Sequence, residues 1–185
     1  IQQNPAFFQI YNNEILPVLK SNNQDSSFIS LNEFLADTMV HDLFLKVEKE
    51  YGDIEDVKQA TAQMYKYFKY YFPKYTSIPR IYTFISEFGY QIFIFEDQGG
   101  KDGIGLGLDM FLNPQVDYKM VDPDNTNFSD YITRTWNRHH IPRKIADLHI
   151  SDLLGEAPGH RLIDHMIHNG KALYIADMVL PEVHD

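Results

Sequence analysis

The sequence predicts an α+β fold that is mostly helical and has a small antiparallel or mixed sheet in the middle. Apolar residues recur every three or four positions through the amino-terminal part, which is typical of amphipathic helices. Between residues 78 and 109 the period changes to two, and β-branched and aromatic residues become frequent, which indicates strands. Helical spacing returns after a proline-containing loop at 113–125. The order of helices, a small sheet and helices again favours α+β.

Six helices are predicted, three on each side of the sheet. Capping serines, prolines and glycines set their expected limits. The predicted spans are 6–19 with a break at Pro17, Ser26 or Ser27 to Gly52, about Ile54 to Pro73, Phe128 to Trp136, a helix beginning around Pro142, and a last helix from near Pro158 to about Val179.

Three strands are predicted in the middle of the chain. The segments 78–85 and 91–95 both alternate, and the link between them contains Gly89, so we expect them to form an antiparallel pair. The third strand covers 103–109, where Gly103, Gly105 and Gly107 alternate with apolar residues. One face of this strand therefore carries no side chains, and another element is expected to pack closely against it.

Composition excludes some classes of function. The 26 acidic residues exceed the 16 basic ones, and the net charge of −10 opposes both nucleic-acid binding and attraction to an anionic membrane surface. The chain has no cysteine, so it has neither a disulfide nor a Cys-ligated metal. We find no repeat and no break in composition, so residues 1–185 are predicted to form a single domain.

The last predicted helix carries candidate metal ligands. On a helical wheel His160, Asp164, His168 and Lys171 share one stripe. Side chains at i and i+4 project together, so His160, Asp164 and His168 are a candidate set for a divalent metal. The alternative is a solvated polar face, because Lys171 repels a cation and the ladder extends over two turns. The opposite arc of the helix is apolar and consists of Leu162, Ile163, Met166, Ile167, Leu173 and Tyr174.

Two acidic residues also stand out. Asp177 falls inside the apolar arc, near Gly170 and Leu173, so we expect a buried structural carboxylate with a partner. The alternative is that the helix frays there and Asp177 reaches solvent. Asp109 ends the third strand, where loops often gather functional groups. A strand-end acid that caps the next turn is the preferred interpretation for Asp109.

Several sequence motifs of enzymes are absent. The chain contains no G-x-S-x-G elbow, no G-x-x-x-x-G-K-[ST] loop, no G-x-G-x-x-G and no H-E-x-x-H. The sequence therefore argues against a complete hydrolytic active site.

Taken in order, several segments of the chain resemble the GldB-type gliding-motility lipoproteins of the bacterial cell envelope. The resemblance covers roughly residues 30 to 185, and its most specific part includes Gly170, Lys171, Tyr174 and Asp177. The segments are Tyr70-Tyr-Phe-Pro73, Ile78-Pro-Arg-Ile-Tyr82, Gly105-Leu-Gly-Leu-Asp109 before Met110-Phe-Leu112, Leu162-Ile-Asp-His-Met-Ile-His-Asn-Gly-Lys171, Ala172-Leu-Tyr-Ile-Ala-Asp177 and Leu180-Pro181.

This resemblance implies a domain in the cell envelope that faces the periplasm or a membrane surface. It implies a lipid anchor on a cysteine upstream of Ile1, and the first residue, which is not Met, fits a removed leader or a trimmed chain. It also implies an envelope protein partner and a role in assembling or stabilising an envelope complex linked to gliding and secretion.

The family is also distantly similar to zinc-peptidase-like domains, which implies a degenerate zincin-like architecture. In a zincin helix, H-E-x-x-H supplies two His ligands and a Glu base. That pattern falls here on Asp164-His165-Met166-Ile167-His168, where only His168 keeps its ligand type. His165 replaces the Glu, and an imidazole is a poor base beside a metal cation. A scaffold without peptidase activity and without a bound cofactor is therefore expected.

Three functions follow from these observations. The first is a non-catalytic envelope lipoprotein that binds a protein partner. The second is a metal-dependent hydrolase that uses zinc held by His160, Asp164, His165 and His168. The third is a domain that binds a small ligand or glycan, and it rests only on the aromatic content.

Overall fold

The computed structural model of the chain describes residues 4–15, 34, 36–75 and 78–181. Parts of the first two predicted helices, 16–19 and 26–33, lie outside these residues. The longer elements are α1 (Pro5–Ile10), which continues as a π-helical turn (Tyr11–Ile15), α2 (Thr38–Tyr51), α3 (Glu55–Tyr71), β1 (Arg80–Phe84), β2 (Ile92–Asp97), β3 (Lys101–Gly107), α4 (Tyr118–Val121), α5 (Asp130–Thr133), α6 (Ile141–Leu154) and α7 (Leu162–Val179). Helices with a small three-stranded sheet confirm the α+β prediction.

The chain groups into two units, and each unit is assembled from two separate stretches. The first unit comprises Ile1–Asp53 and Pro79–Asn137, which include the sheet. The second comprises Ile54–Ile78 and Arg138–Asp185, which include α3, α6 and α7. That residues 1–185 act as a single domain stays a prediction.

The sheet is mixed, and its strand order is β1-β3-β2. β3 pairs parallel with β1 and antiparallel with β2, so the predicted antiparallel pairing of β1 with β2 is wrong. The hairpin forms instead between β2 and β3, where Gly99 and Gly100 adopt positive φ angles of 77° and 69°. This tight turn brings β3 directly against β2. β3 then lies between the two strands that were expected to be neighbours.

The glycine face of β3 is covered by aromatic rings, as the alternating glycines predict. Phe95 lies opposite Gly103 and Phe93 opposite Gly105 in the register of the β2–β3 pair. A Cβ at Gly103 would lie 2.5 Å from Cζ of Phe95, which leaves no room for a side chain. From α1, Phe7 stacks on Tyr82 of β1 at 4.9 Å between ring centroids. The bare face thus receives rings from both neighbouring strands and from α1.

The core of the second unit lies where α3, α6 and α7 contact one another. α3 directs Met64 and Phe68 inward, and both are almost completely buried. Helix α6 begins at Ile141 with Pro142 in its first turn, as predicted, and its apolar side is buried. Three helices with apolar stripes at a spacing of three and four form this core.

The segment predicted as one helix from Phe128 to Trp136 is broken. A 3₁₀ turn spans Thr126–Phe128 and the short helix α5 covers only Asp130–Thr133. The backbone amide of Trp136 bonds to Thr133 O, which ends the helix, and the indole packs edge-on against Tyr118 at 5.0 Å. Burial of this aromatic ring against Tyr118 outweighs the continuation of a helix whose sequence has the correct spacing.

Candidate functional site

Helix α7 packs on the rest of the second unit through a narrow side. Ile175, Ala176 and Val179 are buried, while Ala172 is half-buried, and the helix contacts α6 and α3. These positions span about 100° of the helical wheel. Their small and β-branched side chains allow the helix to lie close to its neighbours. The inner side of α7 is thus formed mostly by its last two turns.

The opposite side of α7 is apolar and exposed. Leu162 is 77% exposed and Tyr174 is 67% exposed. The predicted arc of apolar residues therefore faces solvent and not the core, which corrects the expectation from the sequence. The exposed apolar side chains of this helix, called the α7 face below, are Leu162, Ile163, Met166, Ile167, Leu173 and Tyr174.

The α7 face is a regular stripe and not a scatter of single residues. Its members recur at intervals of three, four and seven, so they occupy one arc of about 140° on the helical wheel. Isolated exposed apolar residues are normal on a protein surface, whereas a contiguous apolar patch marks an interaction site. The geometry of α7 therefore supports binding of another molecule on its outer side.

The most specific sequence motif lies on the same side of this helix. Gly170, Lys171, Tyr174 and Asp177 are all exposed. Asp177 was expected to be a buried, paired carboxylate, and that prediction is wrong, because the arc that contains it faces solvent. A Cβ added at Gly170 would meet nothing within 4 Å, so this glycine leaves a notch in the middle of the stripe.

The candidate metal ligands have other surroundings than predicted. α7 begins at Leu162, so His160 precedes the helix and is exposed, which breaks the predicted ladder. The Asp164 carboxylate accepts hydrogen bonds from Arg161 Nε at 3.0 Å and Nη2 at 2.8 Å. The guanidinium of Arg161 lowers the pKa of this carboxyl. Within the described ranges, no group of three or more His, Asp or Glu residues is placed to hold a metal ion.

The remaining two candidates lie on α7 itself. His165 is exposed and His168 is half-buried. Asp164 accepts the backbone amide of Arg161 at 3.2 Å, as the acid at the third position of a capping box does, and this explains its position without a metal. Zinc binding by His160, Asp164, His165 and His168 stays a prediction.

Asp109 organises a turn in the first unit. Its side chain is fully buried and accepts the backbone amides of Ser86 at 3.1 Å and Phe88 at 2.7 Å. Ser86 Oγ also donates to this carboxylate, at 3.2 Å to Oδ2. Glu87 and Phe88 have positive φ angles of 52° and 65°, which non-glycine residues rarely adopt. Asp109 therefore holds the strained turn between β1 and β2. From the sequence, it was expected to cap the turn that follows the third strand.

Burial is the main influence on the pKa values of Asp109 and of its neighbour Tyr11. It raises the pKa of the Asp109 carboxyl even though four hydrogen bonds act in the opposite direction. Burial also raises the pKa of Tyr11 to about 12, and the charges of Asp109 and Glu87 add to this effect. Tyr11 donates its hydroxyl proton to Ile85 O at 2.9 Å, next to the turn. The β1–β2 link is thus fixed from two sides.

The second unit contains another buried polar group, for which the sequence indicates a helical position but no partner. His149 of α6 is 2% exposed, and its ring lies between two tyrosine hydroxyls. Tyr65 Oη is 2.7 Å from Nε2 and Tyr75 Oη is 2.6 Å from Nδ1. A helical histidine on an apolar side was the available signal, but its partners lie 74 and 84 residues away. The arrangement satisfies a polar ring inside the core of the second unit.

Comparison with known proteins decides the family. The family described as gliding motility protein GldB matches residues 1–185, which is the whole chain. The chain belongs to this family. Membership makes it a cell-envelope lipoprotein of a family named for gliding motility. No curated protein and no solved structure matches the chain. None of the described helices combines the length and the apolar content that crossing a bilayer requires.

Proposed function

We propose that this chain is a non-catalytic domain that binds an envelope protein through the α7 face and thereby acts in the assembly or stability of an envelope complex linked to gliding and secretion. The observation that carries the proposal is the exposed stripe itself. Six large apolar side chains on one helix face solvent, and they surround the motif residues Gly170 and Lys171. An apolar helix face of this kind is typical of a docking surface for a protein.

The stripe fits a helix or strand of a protein better than a membrane. Helices that lie on membranes combine an apolar side with many Lys and Arg residues on the polar side. The polar positions of α7 include only one such residue, Lys171, and the net charge of the chain is −10. The notch at Gly170 also gives an approaching backbone or side chain a place to enter. A location in the periplasm, with a lipid anchor, is part of this proposal.

The test uses the full-length lipoprotein in its own envelope. In one variant Ile167→Ser and Leu173→Ser remove apolar side chains from the centre of the α7 face, and both residues are about half-exposed in the wild type. The wild type and the variant are extracted in mild detergent, and their native sizes and protein abundances are compared. In a gliding host, colony spreading is compared as well. We expect the wild type to migrate in a complex and the variant to migrate alone, with unchanged abundance.

A matched control removes two exposed apolar side chains that are not part of α7. Ile78→Ser and Tyr131→Ser replace residues that are 55% and 74% exposed. This variant should keep the native size of the wild type. If the α7 variant also keeps that size, or if the complex proves to contain only copies of this chain, binding of a separate envelope partner through α7 is refuted.

A further inference from the structure

A groove in the first unit lies beside the turn that Asp109 holds. It has a volume of 590 Å³, with α2 on one side and residues 115–121 on the other. Glu87 and Phe88 contribute to its wall. A second cavity of 570 Å³ also includes Glu87, Phe88 and Val121, so the two adjoin at this turn. We call the first of these cavities the Phe88 groove.

Apolar side chains project from both walls of the Phe88 groove. Met39 on α2 and Met120 on α4 are each 75% exposed, and Val121 is 44% exposed. Leu43 and Val116 line the groove between them. Methionine is unbranched and polarisable, and it adapts to the shape of different apolar partners. Two opposed, exposed methionines therefore suit a groove that receives an amphipathic segment of another protein.

The charged residues that line the groove indicate which kind of segment it binds. Asp42, Glu87 and Asp117 line it and are exposed, whereas Lys46 is the only base among the described lining residues. Asp122 lines the adjoining cavity, which has no basic lining residue among those described. The apolar walls are thus bordered by an excess of negative charge. Lysine or arginine on an incoming segment complements these carboxylates.

The turn between β1 and β2 gives the groove a fixed wall. Phe88 donates its amide to Asp109, and its ring packs edge-on against Tyr118 at 5.7 Å. Glu87, the residue before it, is exposed and held at a positive φ. A wall that is already ordered loses little conformational freedom when a ligand binds.

We infer that the Phe88 groove binds an amphipathic helical segment of a partner protein whose apolar side is bordered by Lys or Arg. The site does not involve α7, so it is separate from the proposed docking on the α7 face. A lipid acyl chain would use the methionines but would leave the carboxylates without complementary charge. An anionic membrane surface would be repelled by them.

The test measures binding of a labelled peptide of Leu and Lys at helical spacing by fluorescence anisotropy. A peptide with Glu in place of each Lys is measured beside it. We expect the Leu/Lys peptide to bind the wild-type chain and the Leu/Glu peptide not to bind. The double variant Asp42→Asn with Glu87→Gln should weaken binding of the Leu/Lys peptide roughly tenfold.

Two controls separate the groove from general attraction to an acidic protein. Asp152→Asn with Glu156→Gln changes the net charge equally at exposed positions of the second unit, and it should leave the affinity unchanged. Met39→Ser with Met120→Ser should weaken binding roughly tenfold, whereas Ile78→Ser with Tyr131→Ser, outside both the groove and the α7 face, should not. The altered side chains are all exposed, so the variants are expected to fold.

Three results would overturn the inference. Equal losses in the groove and control charge variants would assign the binding to net charge alone. Absence of Leu/Lys binding would remove the site. Cosedimentation of the chain with uncharged lipid vesicles that depends on Met39 and Met120 would assign the methionines to a lipid surface. The α7 proposal is tested by native complex size, so either proposal can fail without the other.

Discussion

The carboxylate of Asp109 accepts the backbone amide of Phe88 at 2.7 Å, across 21 residues of sequence. This bond joins the 3₁₀ turn Leu108–Phe111, which follows β3, to the turn between β1 and β2. It fixes a backbone conformation that neither Glu87 nor Phe88 would adopt freely. The same bond makes the turn depend on the protonation of one buried side chain.

Asp109→Asn should change how stability depends on pH. Burial raises the pKa of Asp109 in the folded protein above its ordinary value of 3.8, so the folded state binds the proton more tightly than the unfolded state. The stability from this group is therefore complete below pH 3.8 and is lost as pH rises through the folded pKa. Asn retains an oxygen for both amides and does not ionise. Urea unfolding of both proteins from pH 3.5 to pH 8 should show the wild type losing stability relative to the variant. If the wild type instead gains stability relative to the variant as the pH rises, hydrogen bonding to the carboxylate outweighs burial.

Gly107→Ala should destabilise the first unit. A Cβ at this position would overlap the backbone carbonyl of Tyr90, and a backbone atom cannot rotate away as a side chain can. Gly107 also donates its amide to Gln91 O at 2.9 Å, so a shift of either strand end disturbs this bond. We expect a loss of about 1–3 kcal/mol in the free energy of unfolding, measured in urea. Wild-type stability in this variant would show that the strand end relaxes without cost.

Gly170→Ala should have the opposite effect on stability. The position is in the interior of α7, and the surrounding space is open. Because alanine has a higher helix propensity than glycine, we expect the free energy of unfolding to rise by about 0.5–1 kcal/mol. If the notch at Gly170 admits the partner, the same variant should release the chain from its envelope complex. Thermal unfolding and native complex size are measured together. A variant that is more stable and remains fully assembled would show that the notch has no part in binding.

Tyr65→Phe should weaken the core of the second unit. The substitution removes the hydroxyl that lies 2.7 Å from Nε2 of His149, deep between α3 and α6. Loss of a hydrogen-bond partner in a buried site costs about 1–3 kcal/mol. Tyr70→Phe is the matched control, because Tyr70 is on the same helix and is 77% exposed. Equal unfolding free energies for the two variants would contradict the role of the buried pair.

Zinc should not be retained in stoichiometric amounts by the purified chain. Arg161 occupies both oxygens of Asp164, so this ligand would have to leave an ion pair before it could bind a cation. Metal content after dialysis, measured without a histidine tag, and the midpoint of thermal unfolding with added zinc provide the test. Stoichiometric zinc that is lost in His168→Ala would support the hypothesis of a metal-dependent hydrolase.

Sequence periodicity predicted α3, α6 and the extent of the sheet, because each depends on local spacing and on residues such as Pro142 that mark ends. Periodicity did not predict which side of α7 is buried, because the side with fewer large apolar residues packs inward. Periodicity shows that a helix has two sides, but the shape of α6 and α3 decides which side fits. Ala172 and Ala176 permit α7 to pack closely on its neighbouring helices, and the larger residues of the α7 face are not needed for this contact.

The candidate sites were harder to predict for a related reason. Asp109 was singled out because it ends a strand, yet its partners Ser86 and Phe88 carry no recognisable motif. The pairing of β1 with β2 was mispredicted because the link between them resembles a hairpin. Which strand is central depends on β3, which is added later in the sequence.

The division of the second unit between two distant stretches of chain has a consequence for biosynthesis. Helix α3 leaves the ribosome before the whole sheet, while its partners α6 and α7 follow the sheet and are made later. Until then, Val57, Met64 and Phe68 have no native surface to cover them. A nascent chain that stalls after residue 137 therefore exposes the apolar side of α3 without the helices that cover it. The core of this unit can therefore close only after the sheet and both later helices have been made.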